Sequence, residues 1–91
     1  MILINRLYKR YLSMFDKVEI YSKSNCSYCV MAKNYFESNQ IDYIEYNVEH
    51  IPTFNELLER HPAARTMPQI FINDDLIGGY TDLIAWLEKK E

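Results

Sequence analysis

The spacing of apolar residues along the chain alternates between the period of a helix and the period of a strand. Residues 3–15 carry apolar side chains at i, i+3 and i+4 spacing, with basic and polar residues between them, which is typical of an amphipathic helix. Residues 17–21 (KVEIY) alternate as in a strand. A polar loop follows over residues 22–27, and the pattern predicts a helix over residues 26–38.

The second half of the chain predicts a strand, a short helix, a hairpin and a last helix. Residues 41–48 (IDYIEYNV) are rich in β-branched and aromatic residues, which favour a strand. Pro52 suits a helix start, and the helix of residues 53–60 would end before a second proline. Residues 69–77 predict two short strands around an Asn-Asp turn, and residues 81–89 predict the last helix.

This order of elements, α followed by β-α-β-α-β-β-α, predicts an α/β fold. A β-α-β unit followed by a helix and a hairpin forms a small mixed sheet with helices on both faces. The composition changes at Met14, so we expect residues 1–13 to be an amphipathic helical extension and residues 14–91 to be the domain. Three roles are open for the extension: packing on the domain's own surface, self-association, and binding to a membrane surface.

The composition excludes several classes of protein. A chain of 91 residues that is 48% apolar and 25% charged is typical of one soluble globular domain. Its net charge of −3 does not favour nucleic acid, and its apolar stretches are far shorter than a membrane span. Asn5 and Arg6 interrupt the apolar N-terminus before it resembles an export signal. With two cysteines in all, we expect a reducing, cytoplasmic compartment.

The two cysteines, Cys26 and Cys29, are the ends of a C-S-Y-C sequence at the point where the polar loop passes into the helix. Unpaired backbone N–H groups at a helix N-terminus favour a thiolate on the first sulfur. Lowering a thiol pKa from about 8.5 to about 5 needs about 5 kcal/mol, of which the helix dipole supplies about 0.3–2 kcal/mol. Direct hydrogen bonds from the Tyr28 and Cys29 amides or the Cys29 thiol must supply the rest, with Lys23 as a nearby cation. We therefore predict that Cys26 attacks and Cys29 resolves.

Two other interpretations of the cysteine pair are open. A zinc site would need two further ligands, and the ten-residue gap between His50 and His61 does not match zinc-finger spacing. Two inert buried thiols are the other interpretation, although the residues around the cysteines are polar. A CxxC pair before a helix in a β-α-β setting favours redox chemistry over both.

Four segments together resemble the glutaredoxin family over about residues 17–90. They are VEIYSK at 18–23, CSYC at 26–29, RTMPQIFI at 65–72 and IGGYTDL at 77–83, in the order and at the spacing of that family. The resemblance implies a thioredoxin-like fold, with two parallel strands, an antiparallel hairpin and the active site at the first helix of the domain.

The resemblance also implies a glutathione site beside Cys26. In the family a cis proline faces the active cysteine and leaves an open backbone edge for an extended peptide. That segment is Thr66-Met67-Pro68 here; from the residues alone a trans proline at a strand start is the commoner state, and the cis bond is what the resemblance implies. The pair Gly78-Gly79 suits a turn that needs positive φ, or a backbone that lies close to another group.

The remaining glutathione contacts follow from the same resemblance. Amides around Gly79, Tyr80 and Thr81 would bind the γ-glutamyl carboxylate, and Asp82 would bind its ammonium group. An acid at a helix start explains Asp82 as well. The ring of Tyr28 would form a wall of the groove. Lys23 and Arg65 would flank the groove and pair with the glycine carboxylate, or be solvated surface charges.

We therefore expect a dithiol glutaredoxin that reduces protein disulfides and glutathione mixed disulfides, with glutathione as co-substrate. We expect it to be a monomer with no nucleic-acid or membrane partner. Ser27 replaces the proline of the commonest family loop. Serine occurs there in members that hold a [2Fe–2S] cluster between two subunits, which would use Cys26 and one glutathione from each. The alternatives are such a non-catalytic dimer and a ribonucleotide reductase electron donor recharged by thioredoxin reductase; the intact motif at residues 78–82 argues against the donor.

Overall fold

The computed structural model describes residues 14–90, which form a four-stranded sheet and three helices. The elements are β1 Val18–Ser22, α1 Ser27–Ser38, β2 Ile44–Asn47, α2 Ile51–Arg60, β3 Gln69–Ile72, β4 Asp75–Gly78 and α3 Tyr80–Lys90. Their order from β1 onwards is the predicted one. The predicted extension of residues 1–13 lies outside the described residues. None of the helices in the described part of the chain is both long and apolar enough to cross a membrane.

The sheet has the strand order β2-β1-β3-β4. β2 runs parallel to β1, whereas β3 runs antiparallel to both β1 and β4. All residues of β1 and β3 are buried because each strand has a neighbour on either side and helices over both faces. The mixed α/β fold expected from the sequence is therefore correct.

Two elements begin two or more residues away from their predicted start, while the other boundaries agree to within one residue. β2 is shorter than the predicted strand of residues 41–48, since its pairing with β1 begins only at Ile44 opposite Glu19. α2 begins at Ile51, two residues earlier than predicted, with Pro52 inside its first turn, where a missing backbone N–H costs nothing.

Alternation along the strands sends successive side chains to two separate cores. Ile20 and Ile70 point to the face covered by α1 and α3, where Phe36 and Leu83 are fully buried. Tyr21 and its neighbours point to the face covered by α2; that cluster contains Tyr21, Leu57, Ala64 and Phe71. Among the aromatic residues, Phe36 and Phe71 are buried, while Tyr35, Tyr43 and Trp86 pack partly buried against the first cluster.

A charged network ties α2 to the sheet. Glu19 is buried in β1, and Arg60 at the end of α2 donates to its two carboxylate oxygens at 3.2 and 3.1 Å. Arg60 also donates to the Tyr21 hydroxyl at 3.1 Å, and that hydroxyl donates to Glu56. The guanidinium carbon lies 3.8 Å from the centroid of the Phe71 ring. These contacts fix the end of α2, from which the chain leads into the candidate site.

Candidate active site

The two cysteines lie at the start of α1, as the sequence predicts. Cys26 is the residue before the first turn, with extended backbone, and its Sγ accepts a hydrogen bond of 3.2 Å from the Cys29 N–H. The two sulfurs form a disulfide, with the Cα atoms 5.2 Å apart. Cys29 is buried, with 1% of its surface exposed, while Cys26 is partly exposed. Cys26 is therefore the sulfur that an incoming thiol can reach.

The loop between β1 and α1 positions Cys26. Asn25 has a left-handed backbone with φ of 54°. Ser24 donates to the Glu49 carboxylate from both its backbone N–H and its hydroxyl group. Lys23 is exposed in the same loop, and its charge interacts with that of Glu49.

A groove of about 400 Å³ lies beside the cysteines. We call it the groove; its lining residues are Tyr28, His61, Thr66, Met67, Pro68, Gln69, Gly78, Gly79, Tyr80, Thr81 and Asp82. The Met67–Pro68 peptide bond is cis. The Met67 carbonyl oxygen is 3.5 Å from Cys26 Sγ, and a Cys26 thiol can donate to it once the disulfide is reduced.

Eight of the ten residues predicted to bind glutathione line the groove, and two do not. The guanidinium of Arg65 donates instead to the Ala64 and Pro62 carbonyl oxygens, at 2.9 and 3.3 Å, so it closes its own loop. Lys23 lies in the loop before Cys26, beside the carboxylate of Glu49. Neither cation is therefore among the residues that line the groove, and a role for either in binding stays a prediction.

Three further residues line the groove although the sequence pattern indicates no site role for them: His61, Gln69 and Gly78. Gln69 is 6% exposed, and its side-chain N–H donates to the Thr66 carbonyl oxygen at 2.8 Å, while its Oε1 is buried without a partner. The sequence contains a signal for Gln69, because it is the one polar residue of the strand QIFI. For His61, which follows α2, no comparable signal exists.

The glycine pair forms the end of the groove at α3. Gly78 has φ of +114°, as the turn interpretation predicted. A Cβ at Gly78 would lie 2.5 Å from Asp82 Oδ2, whereas one at Gly79 would have its nearest neighbours at 3.7 Å. The Asp82 carboxylate is exposed and accepts a hydrogen bond of 2.9 Å from the Gly79 N–H. Gly78 is therefore the position where the backbone must lie close to another group.

Two aromatic rings form a wall of the groove. Tyr28, which follows Cys26 by two residues, stacks on Tyr80 with ring centroids 6.1 Å apart and an interplanar angle of 18°. Tyr28 remains 54% exposed. The stack joins the start of α1 to the start of α3, so the cysteine pair and the glycine pair face one cleft.

The histidines do not complete a zinc site with the cysteines. Between residues 14 and 90, no group of three or more His, Cys, Asp or Glu side chains has the arrangement needed to hold a metal ion. The two sulfurs are bonded to each other rather than arranged around a common centre.

The sheet order, the helices on both faces and a CxxC pair at the first helix of the domain define a thioredoxin-like domain with a redox-type cysteine pair. A family model described as glutaredoxin matches residues 18–77. The chain belongs to the glutaredoxin family.

Individual relatives agree with this assignment. The chain is 43% identical over 68 residues to bovine (Bos taurus) mitochondrial glutaredoxin-2, an alignment that covers 71% of this chain and 43% of that protein. It is 36% identical over 78 residues to Escherichia coli glutaredoxin 1, covering 78% and 92% of the two chains. The crystal structure of Francisella tularensis glutaredoxin 1 complexed with cacodylate has a TM-score of 0.68 and 36% identity, covering 81% of this chain and 94% of that one. The chain spans less than half the length of the bovine relative.

Proposed function

We propose that this protein is a dithiol glutaredoxin, a glutathione-dependent thiol–disulfide oxidoreductase with Cys26 and Cys29 as its redox centre. The observation that carries the proposal is the asymmetry of the pair. Cys26 is partly exposed, its Sγ accepts the Cys29 N–H and lies 3.5 Å from the Met67 carbonyl oxygen of the groove, while Cys29 is buried. A sulfur that accepts a backbone N–H at a helix start is stabilised as a thiolate.

In the reducing direction, the Cys26 thiolate attacks one sulfur of a substrate disulfide and forms a mixed disulfide, while the other substrate sulfur leaves as a thiolate. Cys29 then loses its proton and attacks Cys26 Sγ, which releases the second substrate thiol and leaves the Cys26–Cys29 disulfide seen here. Two glutathione thiolates restore the dithiol. The first forms a mixed disulfide with Cys26 and releases Cys29; the second attacks the glutathione sulfur and leaves as glutathione disulfide.

The groove supports glutathione as the peptide that is bound. The Met67 backbone lies next to Cys26 Sγ and provides an edge with which an extended peptide can pair. Thr81 and Asp82 lie at the other end, where the start of α3 attracts a carboxylate and Asp82 an ammonium group. We assign the γ-glutamyl group to that end and the cysteine of glutathione to Met67.

The test is an assay in which glutathione reductase and NADPH report the consumption of glutathione, with a glutathione mixed disulfide as substrate. Cys26→Ser is expected to abolish turnover. Cys29→Ser is expected to keep turnover of the mixed disulfide, since glutathione can resolve it, but to lose most reduction of protein disulfides. Turnover by Cys26→Ser equal to that of the unchanged protein would contradict the proposal.

Two comparisons separate this function from its alternatives. With a protein disulfide as substrate, reduction by glutathione but not by thioredoxin reductase supports the proposal; the reverse supports the electron-donor function. A cluster-binding protein would use Cys26 as its one protein ligand from each subunit, and a thiolate suits iron–sulfur ligation. Brown colour and dimer formation after anaerobic purification would identify that function.

The compartment and the oligomeric state remain predictions. We propose a reducing compartment, such as the cytoplasm, because the two cysteines of the chain serve as a redox pair. The mammalian relatives are named as mitochondrial proteins. We propose a monomer, which the mass in solution would test.

A further inference from the structure

The carboxylate of Glu49 reaches from the turn between β2 and α2 to the loop that carries Cys26. Glu49 Oε1 accepts two hydrogen bonds from Ser24, at 2.7 Å from the hydroxyl group and 3.2 Å from the backbone N–H. Ser24 precedes Cys26 by two residues. The N–H of Glu49 donates to Asn47 Oδ1 at 2.8 Å, which holds the turn itself. Two loops whose contacting residues are 25 positions apart in sequence are thereby joined two residues before Cys26.

This contact extends the link between β1 and β2 beyond the end of the strands. The parallel register ends at Ser22 opposite Asn47, and the Val48 N–H donates to the Ser22 carbonyl oxygen at 2.9 Å. The next link along the loop is the one from Ser24 to Glu49. Asn25 follows in the left-handed region, which asparagine adopts more readily than other residues with a side chain.

Glu49 also places a negative charge next to the loop that precedes Cys26. The two hydrogen bonds from Ser24 lower the pKa of Glu49 below its usual value, so the side chain is ionised at neutral pH. Its charge interacts with that of Lys23, one residue before Ser24. Glu49 therefore offsets part of the positive charge that Lys23 would present to an anionic ligand.

We propose that Glu49 has two roles in this enzyme: it is a positioning residue that holds Ser24 so that the loop presents Cys26 to the groove, and its charge weakens the binding of anionic peptides such as glutathione. The charge role rests on the proposed function, whereas the positioning role concerns the loop alone. Because the carboxylate is exposed, both effects are modest in size.

Three variants separate hydrogen bonding from charge. Glu49→Gln keeps an oxygen that can accept from Ser24 but removes the charge. Glu49→Ala removes both, and Ser24→Ala removes the hydroxyl bond while leaving the charge. Glu59→Gln, at an exposed glutamate of α2, is the matched control for a lost negative charge.

Two measurements are made on each variant: the rate at which iodoacetamide, a neutral reagent, alkylates reduced Cys26, and the kcat and KM for glutathione. Glu49→Gln should keep kcat and alkylation within about twofold and lower KM about two- to threefold at low ionic strength, an effect that about 0.5 M salt removes. Glu49→Ala should slow alkylation and kcat by about three- to tenfold. Ser24→Ala should slow both less and leave KM unchanged, and Glu59→Gln should match the unchanged protein.

Alkylation of Glu49→Ala at the rate of the unchanged protein would overturn the positioning role. A KM for Glu49→Gln equal to that of Glu59→Gln would overturn the charge role. If Glu49→Ala does not fold, Ser24→Ala decides the positioning role. Slower alkylation of Cys26 in Ser24→Ala than in the unchanged protein supports that role, and an equal rate overturns it. If the unchanged protein has no glutathione turnover, the proposed function fails, and the alkylation rates alone decide the positioning role.

Discussion

Asp82 Oδ2 accepts a hydrogen bond of 2.9 Å from the backbone N–H of Gly79, three residues earlier in the chain. An acidic side chain that reaches back to the N–H before a helix satisfies a group that has no partner inside the helix. The same carboxylate lines the groove. Asp82 therefore stabilises the start of α3 and also faces the groove in which we propose that glutathione binds, and different substitutions should separate these two roles.

Asp82→Asn should bind glutathione more weakly while it stays nearly as stable as the unchanged protein. The amide keeps an oxygen for the Gly79 N–H but loses the charge that attracts an ammonium group. We expect KM for glutathione to rise about fivefold or more, whereas Asp82→Ala should also lose about 1 kcal/mol of unfolding free energy. Enzyme kinetics and urea unfolding measure the two effects. An unchanged KM in both variants would show that Asp82 only caps the helix.

Gly78→Ala should destabilise the domain and distort the α3 end of the groove. Its Cβ would lie 2.5 Å from Asp82 Oδ2, and its φ of +114° is unfavourable for any residue with a side chain. We expect a loss of about 1–3 kcal/mol in thermal or urea unfolding. Gly79→Ala is the matched control, because its Cβ would make only ordinary contacts at 3.7 Å. Equal losses for both substitutions would contradict this explanation.

Arg60→Leu should destabilise the domain by about 2–3 kcal/mol, because the buried carboxylate of Glu19 loses its guanidinium at 3.1 Å and is left with the more distant charge of Lys17 at 3.9 Å. Glu19→Leu combined with Arg60→Leu should recover part of that loss, since neither charge then remains. Urea unfolding measures both variants. Lys33→Met, which breaks the more exposed pair with Glu45, should cost less than about 1 kcal/mol. A double variant less stable than Arg60→Leu would contradict the prediction.

Tyr43 should contribute to a loss of stability in alkali. Burial, with the hydrogen bond of 2.9 Å to Glu37, raises the pKa of Tyr43 to about 12, above the ordinary value of 10.0. Between these values the unfolded chain releases the phenolic proton while the folded protein retains it. The stabilisation is therefore complete below pH 10 and is lost as pH rises towards 12. Ultraviolet absorbance follows the titration of the phenol, and Tyr43→Phe should reduce the slope of stability against pH in this window.

Elements with a strong local signal were predicted well from the sequence. β3 has the predicted bounds, because Gln69 and three apolar, β-forming residues lie between a proline and an Asn-Asp turn. Asn73 and Asp74 both have positive φ, as a tight hairpin turn requires. The cysteine pair lies at a helix start because the polar loop gives way to helical periodicity there.

The contacts that long polar side chains make in the folded protein were predicted less well from the sequence. Arg65 was expected either to flank the groove or to be a solvated surface charge, and its guanidinium donates to the carbonyl oxygens of its own loop. The buried network of Glu19 and Arg60 left no trace in periodicity, because charged residues in a strand and at a helix end usually face solvent. Gln69 at the head of β3 was missed although it is a polar residue in an otherwise apolar strand.

By itself, the sequence determined the order of the strands and helices, the position of the cysteine pair and the turns, since these depend on neighbours within a few residues. The tertiary structure alone decided which distant loops meet: the register of β1 with β2 brings Glu49 to Ser24, and the packing of α3 on the sheet brings Asp82 into the same groove as Met67. The physical reason is that hydrophobic periodicity records which face of an element is buried, but the partner against which that face packs is chosen only when the whole chain has folded.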